Sequence, residues 1–157
     1  MGVSKEEFRN ALGRFASGVT IVTARGTDGR PCGITVSAFS SVSLDPPLVL
    51  VCIDKRASLH DCISEGVHFA VNILSEDQEL MSRRFASKDE DRFNGTGYRE
   101  SIQGTPLIDG SLVALECRVV HAYPGGDHTI VVGEVESASV ADGKPLAYFR
   151  GGYAQLS

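Results

Sequence analysis

Apolar and polar positions alternate along the chain with two distinct periods. Phe8, Leu12 and Phe15 recur at i, i+4 and i+7 behind Ser4-Lys5-Glu6-Glu7, a capping-box sequence, so residues 4–16 are expected to form an amphipathic helix with one apolar stripe. Ser17-Gly18 ends it. Residues 19–24 are rich in β-branched side chains and predict a strand; residues 27–30 supply a turn, and residues 32–39 return as its partner. The continuous apolar run 48–53 predicts a strand buried on both faces, and 69–74 predicts another. Ser75-Glu76-Asp77-Gln78 opens a helix carrying Leu80, Met81, Arg84 and Phe85. Residues 112–123 alternate as a long strand, 124–127 turn, 128–139 return, and 146–148 predict a last strand.

Residues 87–104 are polar and glycine-rich with little periodicity, a long surface excursion of the kind that covers sites in compact domains. Six or more strands joined mostly as hairpins, with short helices at the periphery, predict a mainly β fold: an antiparallel barrel with added helices. No G-x-G-x-x-G follows a strand, so a doubly wound dinucleotide fold is not indicated. There are no internal repeats and no linker, and residues 1–157 are expected to be a single domain.

One stretch stands out chemically. Residues 33–43 are mostly small or hydroxyl-bearing, leaving main-chain N–H and C=O groups open to close approach by a flat polar molecule. The Asp45-Pro46-Pro47 break and the apolar run follow, and then comes Asp54-Lys55-Arg56-Ala57-Ser58. Ser58 with Asp61 three residues on predicts a helix over 58–65, whose first turn, together with Lys55 and Arg56, offers a place for an anion such as a phosphate. A planar ring beside a phosphate points to a flavin nucleotide; a capped surface helix with two solvated cations is the plainer alternative.

Composition narrows the classes. The apolar fraction of 42% and charged fraction of 22% are ordinary for a globular protein, and no apolar run approaches the ~20 residues of a membrane span. The N-terminal segment is charged and lacks the apolar core of a secretory signal, so a cytoplasmic protein is expected. Cys32, Cys52, Cys62 and Cys117 include no C-x-x-C pair and no histidine at metal-ligand spacing; neither a zinc site nor a dithiol centre is indicated, and reduced thiols are expected. A net charge of -5 disfavours nucleic acid as a partner. Arg83, Arg84, Lys88 and Arg92 are interleaved with Asp89, Glu90 and Asp91, which predicts a solvated loop; local contact with a dianionic cofactor is the alternative.

Four blocks in order carry a resemblance. They are the segment 8–23 beginning Phe8-Arg9-Asn10, the segment 35–47, Phe69-Ala70-Val71-Asn72-Ile73-Leu74, and the segment 126–135 beginning Gly126-Asp127-His128. Together they resemble the flavin-reductase-like domain, the small reductase component of two-component flavin-dependent monooxygenases, over about residues 5 to 156. The resemblance implies a split β-barrel acting as a homodimer, which binds FMN or FAD and reduces it with NADH or NADPH. Reduced flavin then diffuses to a separate monooxygenase. It further implies that the main chain at Thr35, Val36 and Ser37 faces the isoalloxazine, Ser41 and Ser43 the ribityl or phosphate region, and Cys52 and Ile53 the ring edge. Lys55 and Ser58 would hold the phosphate, His128 would sit beside the nicotinamide as the catalytic residue, and Phe85 and Tyr153 would be walls near the cofactors. The chain departs from the usual end of the family at Gly152. His60, His68 and His121 lie outside the matching blocks and are expected to be structural.

Hydride transfer between stacked rings needs little acid–base chemistry from a protein, which accords with the lack of a convincing Ser/His/Asp or paired-carboxylate arrangement. No arginine pair can be assigned to a 2′-phosphate, which favours NADH over NADPH. The competing expectations are a flavoprotein with tightly held FMN that reduces another acceptor, a non-catalytic flavin-binding module, and a structural protein with no cofactor.

Overall fold

The computed structural model describes residues 2–157. Helix α1 (Lys5–Leu12) starts with the predicted capping box: the Glu7 N–H donates to Ser4 Oγ, and the Ser4 N–H to Glu7 Oε2. It stops earlier than the expected residue 16, with Gly13 as C-cap. Its apolar stripe is uncovered, Phe8, Leu12 and Phe15 being 57%, 53% and 80% exposed.

In chain order the strands are β1 (Ser17–Gly18), β2 (Thr20–Arg25), β3 (Pro31–Val36), β4 (Phe39–Ser43), β5 (Leu48–Asp54) and β6 (His68–Ile73), followed after α2 (Glu79–Ala86) by β7 (Tyr98–Glu100) and β8 (Pro106–Ile108). The long ribbon of β9 (Val113–Gly125) and β10 (His128–Val140) comes next, then β11 (Ala147–Phe149) and β12 (Gly152–Ala154). The protein is mainly β, as its periodicity predicts. Seven strands form one antiparallel sheet in the order β3-β2-β6-β9-β10-β5-β4.

That order forces closure. β3 and β4 are the opposite edges of the sheet, yet only Ser37 and Ala38 separate them in sequence. Three Cα–Cα steps span at most about 11 Å, so the seven strands curl until their edges nearly meet. The result is a split β-barrel whose slit is bridged by Ser37-Ala38.

Packing follows the alternation of side chains. On β2, Val22 and Ala24 face the barrel core with Val51, Leu59, Phe69, Val71 and Val119, while Ile21, with Val19 just before the strand, faces a second cluster with Leu74, Phe85, Ile108 and Leu146. β2 is therefore buried on both faces. β5 is not, contrary to its apolar run: Val49, Val51 and Ile53 point into the core, whereas Leu48, Leu50 and Cys52 are half-buried. As an antiparallel strand between β4 and β10, it has only one face against the core. Between the two clusters Asn72 is buried but satisfied: its amide donates to Ile21 O and Thr23 Oγ1, and its Oδ1 accepts from the Ile108 N–H.

Two further expectations change. The 87–104 excursion contains β7, which pairs with β8 just beyond it, and half-buried arginines anchor the segment instead of leaving it solvated. Arg84 donates to the carbonyls of Arg92, Asp91 and Asn94, and Arg92 to those of Gly33 and Ser87. Cys32 and Cys62 are joined in a disulfide rather than free, because the turn after β5 packs against the start of β3 and brings together sulfurs 30 residues apart. Cys52 and Cys117 are free thiols.

Gly133 of β10 carries a packing constraint. A Cβ there would lie 2.5 Å from Cζ of the buried Phe69 ring and 3.1 Å from Cys117 Cβ. Gly133→Ala should lower stability by about 1–3 kcal/mol, read as a lower urea midpoint at unchanged slope; an unchanged midpoint would show that the core yields at this point.

Candidate functional site

The slit and the end of β5 meet. The Cys52 N–H donates to Ala38 O at 3.0 Å, so the exposed Ser37-Ala38 link runs beside Cys52, Ile53 and Asp54. Thr35 Oγ1 donates to Ser82 O at 2.6 Å, and the Val36 carbonyl accepts from Thr20 Oγ1 at 2.6 Å. Val36 and Ile53 point their side chains into the core and offer only main chain to the slit. Of the residues expected at a ring, Thr35, Val36, Ser37, Cys52 and Ile53 are thus brought together. Burial pushes the Cys52 thiol up, so it stays protonated and serves as a small, weakly polar surface.

Past Ile53 the chain enters a charged corner. In the β5–β10 register Asp54 lies opposite His128, and the Lys55 N–H donates to Asp127 O at 3.0 Å. His128 is half-exposed beside the tight Gly126-Asp127 turn, its Nδ1 2.7 Å from Asp127 Oδ1. That hydrogen bond holds the Asp127 carboxyl below its usual range. Arg56 donates to both carboxylate oxygens of Asp54, at 3.2 and 2.9 Å, and holds that carboxyl well below the carboxylate range. The Arg56 charge is therefore already engaged. Lys55 is exposed and takes part in no ion pair among the described residues.

The helix expected over 58–65 is a single 3₁₀ turn, Ser58–Cys62, with Ala57 rather than Ser58 as N-cap and no side-chain cap. Leu59 is locked in the core, His60 Nε2 is 2.7 Å from Thr129 Oγ1, and the chain is extended again at Ile63. So short a turn has little dipole. What remains for an anion is cationic side chains and the Ser58 hydroxyl.

Ser58 and Arg56 open onto a cavity of about 550 Å³ whose other walls include Arg30, Lys88, Arg92 and Phe93. Burial lowers the Arg92 pKa, and its Nε is a buried donor with no partner. Gly33 is required on this wall, since a Cβ there would come within 2.9 Å of the Phe85 ring. The sequence reading took Lys88 and Arg92 for part of a solvated run, with contact to a dianionic cofactor as the alternative, and did not count them among the site residues. The available signal was the Arg92-Phe93 pair following that run, a cation beside an apolar anchor.

Other expected site residues fall elsewhere. Phe85 is fully buried in the second core cluster and edge-on to Phe93 at 5.0 Å, so it supports the cavity wall from behind instead of lining a cofactor surface. Tyr153 is half-buried, its hydroxyl 2.7 Å from Ser82 Oγ and its ring under Arg83, which connects it through Ser82 to Thr35. Ser41 and Ser43 pair with Val49 and Leu48, at the far end of β5 from Lys55. Six to seven strand residues amount to about 20 Å, so in one chain they cannot hold the same phosphate as Lys55 and Ser58. Among the described residues no cluster of His, Cys, Asp or Glu is arranged to hold a metal ion.

The profile of the flavin reductase like domain matches residues 12–157. The chain belongs to this family. It is 46% identical over 156 residues to the FMN reductase (NADH) SmoA of Agrobacterium fabrum, covering 99% of this chain and 88% of that protein. It is 44% identical to the reductase component of a 4-nitrophenol 4-monooxygenase/4-nitrocatechol 2-monooxygenase of Rhodococcus opacus, covering 98% and 82%. Among solved structures, the Streptomyces globisporus NADH:FAD oxidoreductase SgcE6, in complex with NAD and FAD fragments, is similar with a TM-score of 0.92 at 36% identity, covering 98% of this chain and 93% of that one.

The residues present fit the flavin that the family implies. The slit offers an exposed, small-residue wall to a planar ring, and the orphaned Arg92 Nε and the unpaired Lys55 suit an anionic tail. Arg92→Ala would remove donors to two carbonyls. It should cost about 1–3 kcal/mol and speed amide exchange across residues 87–96; unchanged exchange there would mean that Arg84 alone secures the loop.

Proposed function

We propose that this protein is an NADH-dependent flavin reductase that reduces FMN or FAD and supplies the reduced flavin to a separate monooxygenase. The observation that carries this reading is the abutment of the slit on the charged corner: one hydrogen bond, Cys52 N–H to Ala38 O, sets the small-residue wall beside the end of β5, where Lys55 follows and His128 of β10 lies opposite Asp54. The family relatives named as NADH-dependent reductases and monooxygenase reductase components support it.

When bound, flavin supplies a ring that accepts hydride from a nicotinamide stacked against it, so the protein's task is mainly alignment. The Thr35–Ser37 main chain presents donors and acceptors to the ring, and its N–H groups favour negative charge gathering along the ring edge. Thr35 is held by Ser82, which in turn holds Tyr153, so that side of the slit is braced. Lys55 and Ser58 grip the phosphate. His128, oriented through Nδ1 by Asp127, leaves Nε2 to orient the nicotinamide. The roles of Ser41 and Ser43 lie away from the phosphate corner, and Phe85 acts only as support.

The working form is a homodimer, which the uncovered Phe8, Leu12 and Phe15 stripe and the exposed Val42, Leu44 and Tyr123 support. No helix among the described residues is long and apolar enough to cross a membrane, and the supply of NADH favours a cytoplasmic location.

Steady-state oxidation of NADH and NADPH with added FMN, FAD and riboflavin tests the proposal: NADH consumption that depends on added flavin is expected, and its absence would overturn it. Lys55→Ala should raise the KM for FMN about tenfold, a charge-assisted hydrogen bond being worth ~1.5–3 kcal/mol, and leave riboflavin, which has no phosphate, unaffected. An equal change for both flavins would remove Lys55 from the phosphate. His128→Ala should lower turnover or raise the KM for NADH; no change in either would reject its role. Light scattering should give twice the chain mass, and Phe15→Glu should shift it toward the monomer.

A further inference from the structure

Cys32 and Cys62, joined in a disulfide, have no part in the proposed mechanism, and their placement is informative. Cys62 ends the 3₁₀ turn that carries Ser58; Cys32 lies at the start of β3, next to Gly33, whose carbonyl receives Arg92. Their bond straps the phosphate corner to the barrel edge. The turn is also held by the burial of Leu59, by Ala57 and Ile63 packed against the core, by the His60–Thr129 contact and by main-chain hydrogen bonds such as Ala57 N–H to Asp54 O. Both cysteines are half-buried and line one cavity, whose charged residues are Arg30, Arg56, Lys88 and Arg92 together with Asp28, Asp89 and Glu90. Two partly exposed sulfurs held within bonding reach of each other are open to oxidant and reductant and need no large backbone movement to join. The free cysteines differ: burial raises Cys52 and pushes Cys117 up to about 12, which keeps both unreactive.

We propose that Cys32 and Cys62 form a reversible redox site that takes a hydroperoxide as oxidant and, by closing, tightens the hold on the flavin phosphate. One thiolate attacks a peroxide oxygen; the O–O bond breaks, hydroxide leaves and is protonated to water, and a sulfenic acid forms. The second thiolate attacks that sulfur, the S–S bond forms, the S–O bond breaks, and a second water leaves. Two thiols are oxidised by two electrons and one hydrogen peroxide is reduced to two waters. An external dithiol reverses the step by exchange. The functional sense rests on the proposed reductase activity: reduced flavin that meets dioxygen instead of a monooxygenase yields hydrogen peroxide. A strap closed by peroxide would retain flavin on the protein and slow further release.

The test uses the full-length protein, treated with hydrogen peroxide or with dithiothreitol. Thiols are mapped by alkylation and mass spectrometry, and FMN affinity is measured by quenching of FMN fluorescence. Peroxide is expected to remove two alkylatable thiols as a 32–62 disulfide, dithiothreitol to restore them, and the oxidised form to bind FMN at least about threefold tighter, a fraction of what a cross-link of this loop length can contribute. Cys62→Ser and Cys32→Ser should each show one affinity under both treatments. Failure of peroxide to form the 32–62 bond overturns the proposal, as does a formed bond with unchanged FMN affinity or the same shift in the serine variants. Absence of FMN binding in both forms overturns the reductase reading itself and this regulation with it, whereas the thiol map still reports on the redox pair.

Discussion

The two-residue tie at Ser37-Ala38 is the constraint on which the rest of the structure depends. A seven-stranded sheet with distant edges would lie open and twisted; joining those edges through two peptide units obliges it to close. Closure decides where the interior is, and hence why β2 is buried on both faces and β5 on one. It also decides where the wall is thinnest, because edge strands that only approach each other leave main-chain groups without a ladder partner. Small side chains at that seam are then a necessity of the geometry and an opportunity for a ligand.

The seam would be inert without the corner beside it. β5 and β10 bring Asp54 and His128 into register, and Arg56 and Asp127 each take a partner within that corner. Lys55 is left as the cation with free charge. The arginines of the excursion contribute in a different way. Arg84 donates to three backbone carbonyls and Arg92 to two, so they act first as clamps on a segment with little secondary structure. Phe93, wedged between Phe85 and Tyr98, completes that clamp from the apolar side.

How much of this was legible in the sequence depended on the range of the forces involved. The ribbon β9–β10 and strands β2 and β6 showed in their alternation and β-branching, and the Ser4–Glu7 box showed because capping is local. The four matching blocks led to the family, and the last of them to the expectation at His128, whereas Lys55 was read from the basic loop that follows the apolar run. The turn at Ser58 misled because Ser and Asp at capping spacing look alike whether a helix follows or Leu59 is pulled into a core after one turn. The Cys32–Cys62 bond had no local spacing to betray it, being made by packing of segments 30 residues apart. Arg92 resembled a solvated charge, since the carbonyls that hold its guanidinium out of water carry no side-chain signature. Ser43 was placed near the phosphate by motif, and only the strand register shows the distance.

The hydrogen bond from the Lys55 N–H to Asp127 O joins the end of β5 to the turn that carries His128. Anchoring and alignment are consequently parts of one rigid joint. Along lineages, the 87–104 segment can lengthen or shorten at small entropic cost, whereas a single inserted residue between Asp54 and Leu59 would throw the joint out of phase. Variation in chain length is therefore to be sought in the clamp-held excursion, with the short span after β5 kept at constant length even where its side chains differ.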